Sequence, residues 1–365
     1  MDNIFYSQGK LKEYADAFRR LTDMYGGSKA GALHLQLKET AAMLERISGG
    51  VQTDGLIDGK RKDELLAYFK NEGICVSGIL VLEAAPGRVE LVLRLSKKRG
   101  CVTAGQLASD IGAVIGRRLR AADGSRRVLT RDEGEFILEE ATDYRILFGH
   151  AECSRGFARI SGDNYSCISV EGGKSIVTLA DGMGCGSRAN EYSMRFIELL
   201  EQFLDAGFSE EASIQLLNDA FADNDASGVP VTLDMCSIDE YEGNACFRKM
   251  GAVPSFIKGA GGVQIVETSS LPAGVISGNG MNYSSVKLGD GGYIIMMSDG
   301  VLDALPFYDK EKRMKEIIDG IEERMPQAIA ERILNEVYYY DEKVADDMTV
   351  LVTGVWKIRN GERYV

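Results

Sequence analysis

The sequence predicts an α+β fold: an α-β-β-α sandwich of two antiparallel sheets flanked by helices, preceded by a small α/β domain and N-terminal helices. Three observations carry that reading. From about Asp143 onward, short alternating or apolar strands are split by glycine turns. The helical stretches are set among those strands without regular β-α alternation, which favours packed antiparallel sheets over a parallel one. No internal repeat or low-complexity tract interrupts the pattern.

The elements divide the chain at residues 1–59, 60–144 and 145–365. In the first segment Leu11, Tyr14, Ala15, Phe18 and Leu21 follow a helical stripe, and after Gly26-Gly27 a second helix is expected through Leu33, Leu37 and Leu44. A helix pair packing on another subunit or domain and a solvated lead-in are equally compatible with it. The second segment reads as a helix at Lys62–Asn71 and paired strands Ile74–Glu83 and Val89–Ser96 around Pro86-Gly87. A helix over Ala104–Leu119 follows, then a strand pair near Arg127–Thr130 and Glu135–Glu139. It holds no convergent acids, thiols or glycines, so it is expected to be a regulatory or interaction domain.

In the third segment strands are expected at Tyr144–Glu152, Tyr165–Val170, Lys174–Leu179, Pro230–Asp239, Ala245–Met250, Ser255–Lys258, Val263–Glu267, Tyr293–Ser298 and Met348–Lys357. Helices are expected at Arg188–Leu204, Glu210–Phe221 and Gln327–Val337. The glycine clusters Gly259–Gly262 and Gly289–Gly292 read as hairpin turns.

Composition narrows the chemistry. The 365 residues carry 42 basic and 55 acidic side chains, a net charge of -13, and an acidic surface repels nucleic acid and anionic headgroups. No apolar run reaches the roughly 18 residues of a membrane helix, and no signal segment opens the chain, so a soluble protein is expected. His34 and His150 are the only histidines, which argues against a paired-histidine zinc site, and no G-x-S-x-G turn is present for a serine nucleophile. Seven cysteines without a C-x-x-C pair fit a reducing cytoplasm. Carboxylates are left as the carriers of any chemistry.

Aspartates recur at strand ends in the third segment: Gly162-Asp163, Asp181-Gly182-Met183-Gly184, Ser298-Asp299-Gly300 and Asp346-Asp347-Met348-Thr349. Acids at strand mouths can meet although remote in sequence, and such a group needs cations to be tolerated together. Oxygen-only ligands with retained waters suit Mg²⁺ or Mn²⁺. Glycine after Asp181 and Asp299 keeps bulk off the acid and lets the Gly182 carbonyl turn toward a cation. Each Asp-Gly alone is an ordinary turn; the ordered set is what points to a site. The run Gly182-x-Gly184-x-Gly186 before a helix imitates a dinucleotide fingerprint. Ser187 replaces the third glycine, however, and an acid precedes the first, where a phosphate would be repelled. A tight strand-to-helix turn with Ser187 as N-cap is the simpler reading.

These motifs, with Thr232-Leu233-Asp234 and Leu271-Pro272-Ala273-Gly274, stand in the order found in metal-dependent (PPM) serine/threonine phosphatases. Residues 145–358 resemble that family, its sporulation (SpoIIE-type) branch above all, and the earlier segments more weakly resemble that branch's helical linker and regulatory domain. The resemblance implies two divalent cations, Mn²⁺ or Mg²⁺, in a cleft between the sheets. Asp181 would bridge them with the Gly182 carbonyl completing one, Asp163 would stand on one side, and Asp299 and Asp346 would hold the other. Asp181, Asp163 and Asp299 would be the catalytic acids. Asp347, which stands where many relatives have Asn, and Asp234 would give outer support, although a turn or capping role suits Asp234, like Asp303, better. Arg155 or Arg159 would grip the phosphate.

The implied reaction is hydrolysis of phosphoserine on a STAS-type anti-sigma-factor antagonist, switching on a sporulation sigma factor. A homodimer through the N-terminal helices, a cell-division protein partner and a membrane anchor in the full-length parent are implied in the same way, this chain matching the cytoplasmic portion. A stress-response phosphatase of the same fold with another input domain, or a catalytically silent signalling module, would leave the same strand pattern.

Overall fold

The computed structural model describes residues 57–85, 87–122, 124–157, 160–170, 172–184, 186–223, 229–267, 271–273, 275, 282–340 and 343–358, with Asp16, Arg19, Lys38, Thr40 and Ala41 of the opening segment. Those five are helical; the rest of the expected opening helix pair lies outside the described residues. The chain forms two compact units, Met1–Ala141 and Thr142–Val365.

In the first unit helix α1 (Gly59–Asn71) precedes the hairpin β1 (Ile74–Ala85) and β2 (Arg88–Lys97), then β3 (Val102–Thr103), α2 (Ala104–Ile115), β4 (Leu119–Ala121), β5 (Val128–Leu129) and β6 (Gly134–Glu140). Asp58 caps α1 by accepting the Arg61 N–H at 2.8 Å, and Thr103 caps α2 by accepting the Gln106 N–H at 3.2 Å. Gly116, at φ 70°, ends α2 in the left-handed region, so the helix stops short of Leu119 and that residue opens a strand. The main sheet runs β1-β2-β6-β4, and β5 pairs with β3. The expected pairing of Arg127–Thr130 with Glu135–Glu139 is therefore corrected: β6 pairs with β2 and β4 instead. Alternate residues Leu91, Leu93 and Leu95 of β2 face inward, and with Phe136 and Leu138 they pack on Leu107, Ile111 and Ile115 of α2.

The second unit is the expected sandwich. One sheet has the order β14-β11-β10-β9-β8 and the other β13-β12-β15-β16-β7. The first contains β8 (Asp163–Val170), β9 (Lys174–Gly182), β10 (Val231–Asp239), β11 (Asn244–Met250) and β14 (Asn282–Lys287). The second contains β7 (Tyr144–Cys153), β12 (Ser255–Gly259), β13 (Gly262–Val266), β15 (Gly292–Met297) and β16 (Met348–Lys357). Helices α3 (Ser187–Asp205) and α4 (Glu210–Asp223) cover one side; α5 (Asp299–Asp303), α6 (Lys310–Asp319) and α7 (Pro326–Tyr338) cover the other.

The period of two along each strand sorts the side chains. Val177 and Leu179 of β9, Cys236 and Ile238 of β10 and Phe247 of β11 meet Ile257, Ile294, Met296 and Leu351 between the sheets. Their neighbours Ile176, Ala180, Leu233 and Met235 pack outward on Phe196, Leu200 and Leu217. Gly259–Gly262 closes the β12-β13 hairpin as expected. Gly289–Gly292 does not close a hairpin, because β14 and β15 belong to different sheets and the turn crosses between them.

β7 is an edge strand, and its outward backbone is covered by a side chain. The Gln327 amide at the start of α7 accepts the His150 N–H at 3.1 Å and donates to the His150 carbonyl at 2.8 Å.

Candidate metal centre

The inward parity of β9 that carries Val177 and Leu179 continues to Asp181. Asp163 opens β8 directly opposite Asp181 in the antiparallel register, so both carboxylates share the face between the sheets. From the facing sheet, β15 ends at Met297 and the chain turns through Ser298 into α5, whose first residue is Asp299. Asp346 and Asp347 immediately precede β16, which pairs with β15. Four strand ends thus bring Asp163, Asp181, Asp299 and Asp346 to one mouth of the inter-sheet gap.

The acids perturb one another. Burial drives the Asp181 carboxyl up to about 9, with further upward pushes from Asp163, Asp299 and Asp346. Asp163 is raised to about 6 by burial and by Asp347. The Ser298 and Thr349 hydroxyls near it oppose the rise, yet neither completes a hydrogen bond to it: both Asp163 carboxylate oxygens are buried without a partner. Asp299 is raised by burial, then by Asp346 and Asp303. Asp303 itself pairs with Lys310 in the open, a surface role. Buried carboxylates with bare oxygens and like-charged neighbours are tolerated when a cation joins them.

The residues present fit hard divalent cations by donor chemistry, all oxygen and anionic. Among the described residues, no group of three or more His, Cys, Asp or Glu side chains is gathered tightly enough to hold a metal ion by itself. Mg²⁺ in particular keeps several waters and is commonly held by only one or two carboxylates, so it does not call for such a group.

Backbone packing fixes the centre. A Cβ on Gly182 would lie 2.8 Å from the Ala189 carbonyl carbon and 3.0 Å from its Cα, and closer still to its carbonyl oxygen, so the first turn of α3 sits directly on this residue. Helix α3 begins at Ser187, so the expected N-cap moves one residue back to Gly186, which offers no side-chain cap. A Cβ on Gly300 would strike the Asp347 carbonyl, which explains why glycine follows Asp299. Asp347 does not face the acids as an equal. Its carboxylate accepts the Arg155 and Gly162 N–H groups, each at 2.7 Å, and so ties the loop after β7 to the start of β8. Arg155 is exposed beside the centre by virtue of that bond; Arg159 lies outside the described residues.

Asp234 departs from the expected turn or capping role. It is buried in mid-strand β10, directly opposite Leu179 on one side and Lys249 on the other, so it shares the inter-sheet face. It borders a cleft with Asp181, Thr232, Val253, Ser298 and Asp299. Lys249 and Ser255, which hold it, were not expected at the site. The signal was in the alternation: Lys249 falls on the same inward parity as Ala245 and Phe247, where a charge is out of place without a partner.

A family model described as Stage II sporulation protein E (SpoIIE) matches residues 171–356. Over 214 residues the chain is 34% identical to stage II sporulation protein E of Bacillus subtilis (strain 168), a match covering 58% of this chain and 26% of that protein. With its counterpart from Priestia megaterium it shares 29% identity over 304 residues, 80% of this chain and 50% of the relative. The chain thus spans about a quarter and about half of these relatives' lengths.

Among solved structures, the PP2C phosphatase domain with a fragment of the regulatory domain of SpoIIE from Bacillus subtilis aligns with a TM-score of 0.68 and 24% identity, covering 95% of this chain and 99% of that one. The phosphatase domain of the same protein, in a crystal form without domain swapping, aligns with a TM-score of 0.51 and 31% identity over 62% of this chain and 99% of its own. With a family match over half its length and the four acids at one strand mouth, the chain belongs to the stage II sporulation protein E family and carries its phosphatase domain, of PP2C-type fold.

Proposed function

We propose that this chain hydrolyses phosphoserine or phosphothreonine on a protein, with two divalent cations, Mn²⁺ or Mg²⁺, held by Asp163, Asp181, the Gly182 carbonyl, Asp299 and Asp346. The observation that carries the reading is the buried acid cluster: Asp181 is raised to about 9 by burial and three acidic neighbours, and Asp163 has two bare oxygens. When bound, the cations supply Lewis acidity, polarising the phosphoryl oxygens and acidifying water. The residues of the chain do the rest. Asp181 lies opposite Asp163 on its own sheet and is influenced by Asp299 and Asp346 of the other, so its carboxylate would serve both halves of the centre. Asp347 holds the Arg155 and Gly162 backbone in place, and the exposed Arg155 guanidinium is suited to grip the phosphate. No covalent intermediate on the protein is required.

The substrate proposed is a phosphorylated STAS-type anti-sigma-factor antagonist, whose dephosphorylation activates a sporulation sigma factor; the family of the chain supports this reading. A homodimer through the N-terminal helices and regulatory unit, a cell-division protein partner and a membrane anchor in the full-length parent belong to the same proposal. The seat of α3 on Gly182 supports control through that helix, since moving it would move the Gly182 carbonyl.

Phosphate release from a phosphoserine protein, with and without Mn²⁺, tests the reading in the wild type beside Asp181→Ala and Asp299→Ala. The wild type should turn over only with the cation and both variants should be inactive. Full activity in both variants, or none in the wild type with Mn²⁺, would reject it, the latter leaving a silent signalling module.

A further inference from the structure

Behind the acid cluster lies a second polar network that hydrolysis by the four acids does not use. Lys249 and Ser255 are fully buried and Asp234 is 1% exposed. The Lys249 ammonium donates to Asp234 Oδ2, to Ser255 Oγ at 2.7 Å and to the Val253 carbonyl at 2.8 Å. The Ser255 hydroxyl donates a hydrogen bond to the same Asp234 Oδ2 at 2.5 Å. Oδ2 is therefore fully engaged, while Oδ1 of the same carboxylate is buried with no partner. An acceptor so enclosed is costly unless something donates to it. Asp234 borders the cleft that also holds Asp181 and Asp299, which makes the cleft the natural source of that donor.

Mg²⁺ and Mn²⁺ held by carboxylates keep several of their waters, and waters on a cation are strong donors in need of acceptors. We propose that Asp234 Oδ1 is a positioning acceptor of the metal centre, holding a hydration water of the bound cations, and that Lys249 and Ser255 serve to fix the carboxylate with this oxygen turned to the cleft. The inference rests on the cation-dependent reading above. The Lys249 bond to Val253 adds a second effect: it pins the turn between β11 and β12 that forms the cleft wall, where Gly251 packs against Pro272. Asp234 is a positioning residue and touches neither the phosphoryl group nor the cations.

A crystal structure of the whole wild-type chain soaked with Mn²⁺ tests this directly. A water within hydrogen-bond distance of Asp234 Oδ1 and coordinated to Mn²⁺ is expected; Mn²⁺ present with Oδ1 bare, or with its water unconnected to the ion, would overturn the inference alone. Absence of bound Mn²⁺ would overturn this inference and the functional reading together. Calorimetric Mn²⁺ titrations give the energetic counterpart, on Asp234→Asn and on the double variant Asp234→Leu/Lys249→Met. Asn presents its oxygen to Lys249 and so turns an amide donor to the cleft, while the double variant replaces a buried ion pair by apolar groups of similar volume, which is often neutral for folding. Mn²⁺ affinity about tenfold weaker or more is expected in both. Wild-type affinity in either variant that melts cooperatively would refute the role.

Discussion

A methyl group at position 182 tests whether the seat of helix α3 on strand β9 is coupled to the centre without removing any charge. In Gly182→Ala the new carbon meets backbone, the Ala189 carbonyl carbon at 2.8 Å and Cα at 3.0 Å, which cannot rotate away as a side chain would. An ordinary carbon–carbon contact needs about 3.5 Å, so α3 or β9 must retreat by roughly 0.7 Å. Forced overpacking of this kind costs about 1–3 kcal/mol, and in a unit of this size each kcal/mol lowers the melting temperature by about 2–4 °C. The larger effect should be chemical, because misplacing a reacting group by about 1 Å can lower turnover about a hundredfold. Thermal unfolding beside Mn²⁺-dependent phosphate release reads both quantities. Wild-type melting together with wild-type turnover would show that the helix is not seated on Gly182 as described, and the proposed control through α3 would fall with it.

Three further outcomes follow from the same geometry. Asp181→Asn removes the carboxylate most opposed by its neighbours, so the cation-free protein should melt higher than wild type while phosphate release is abolished; a lower melting temperature would contradict the mutual repulsion. Asp181 and Asp163 hold protons in the folded state up to about 9 and about 6, against an ordinary 3.8. With their pKa raised on folding, their contribution to stability is complete below the ordinary carboxylate range and is lost as pH climbs through those values. The cation-free melting temperature should therefore fall between about pH 4 and pH 9, and Mn²⁺ should reduce the fall while releasing protons, measurable by calorimetry in buffers of different ionisation enthalpy. Asp347→Ala strips the acceptor from two backbone N–H groups, which should lower stability by about 2–4 kcal/mol in denaturant titrations and reduce turnover as the Gly162–Asp163 backbone loosens.

The acids could be read from the chain because each stands at a strand end, two of them closing strongly apolar strands, and strand alternation then dictates which face it occupies. Asp181 continues the inward series of Val177 and Leu179, and its meeting with Asp163 is a matter of register. What the pattern concealed were elements with little periodicity to display. Strand β14 is polar and lies at a sheet edge, α5 spans five residues, and α6 carries its buried Met314, Ile317 and Ile318 amid charges. The crossing at Gly289–Gly292 was hidden for another reason: a glycine-rich turn has the same composition whether it joins neighbours in one sheet or passes to the next. Asp234 was misjudged because a carboxylate's role is set by its partners, and Lys249 and Ser255 reach it from other strands. Nothing local to Thr232-Leu233-Asp234 announces them.

The Gln327 amide that faces His150 has the same donor and acceptor as a peptide group, at nearly the same spacing, and so imitates one residue of a further strand. It thereby blocks one position of an edge that would otherwise present a template for recruiting another extended chain. Because the amide sits at the first turn of α7, that protection lasts only while the helix stays docked. Fraying of α7 would uncover the His150 backbone at this border of the sandwich and make that position available for pairing with another extended chain.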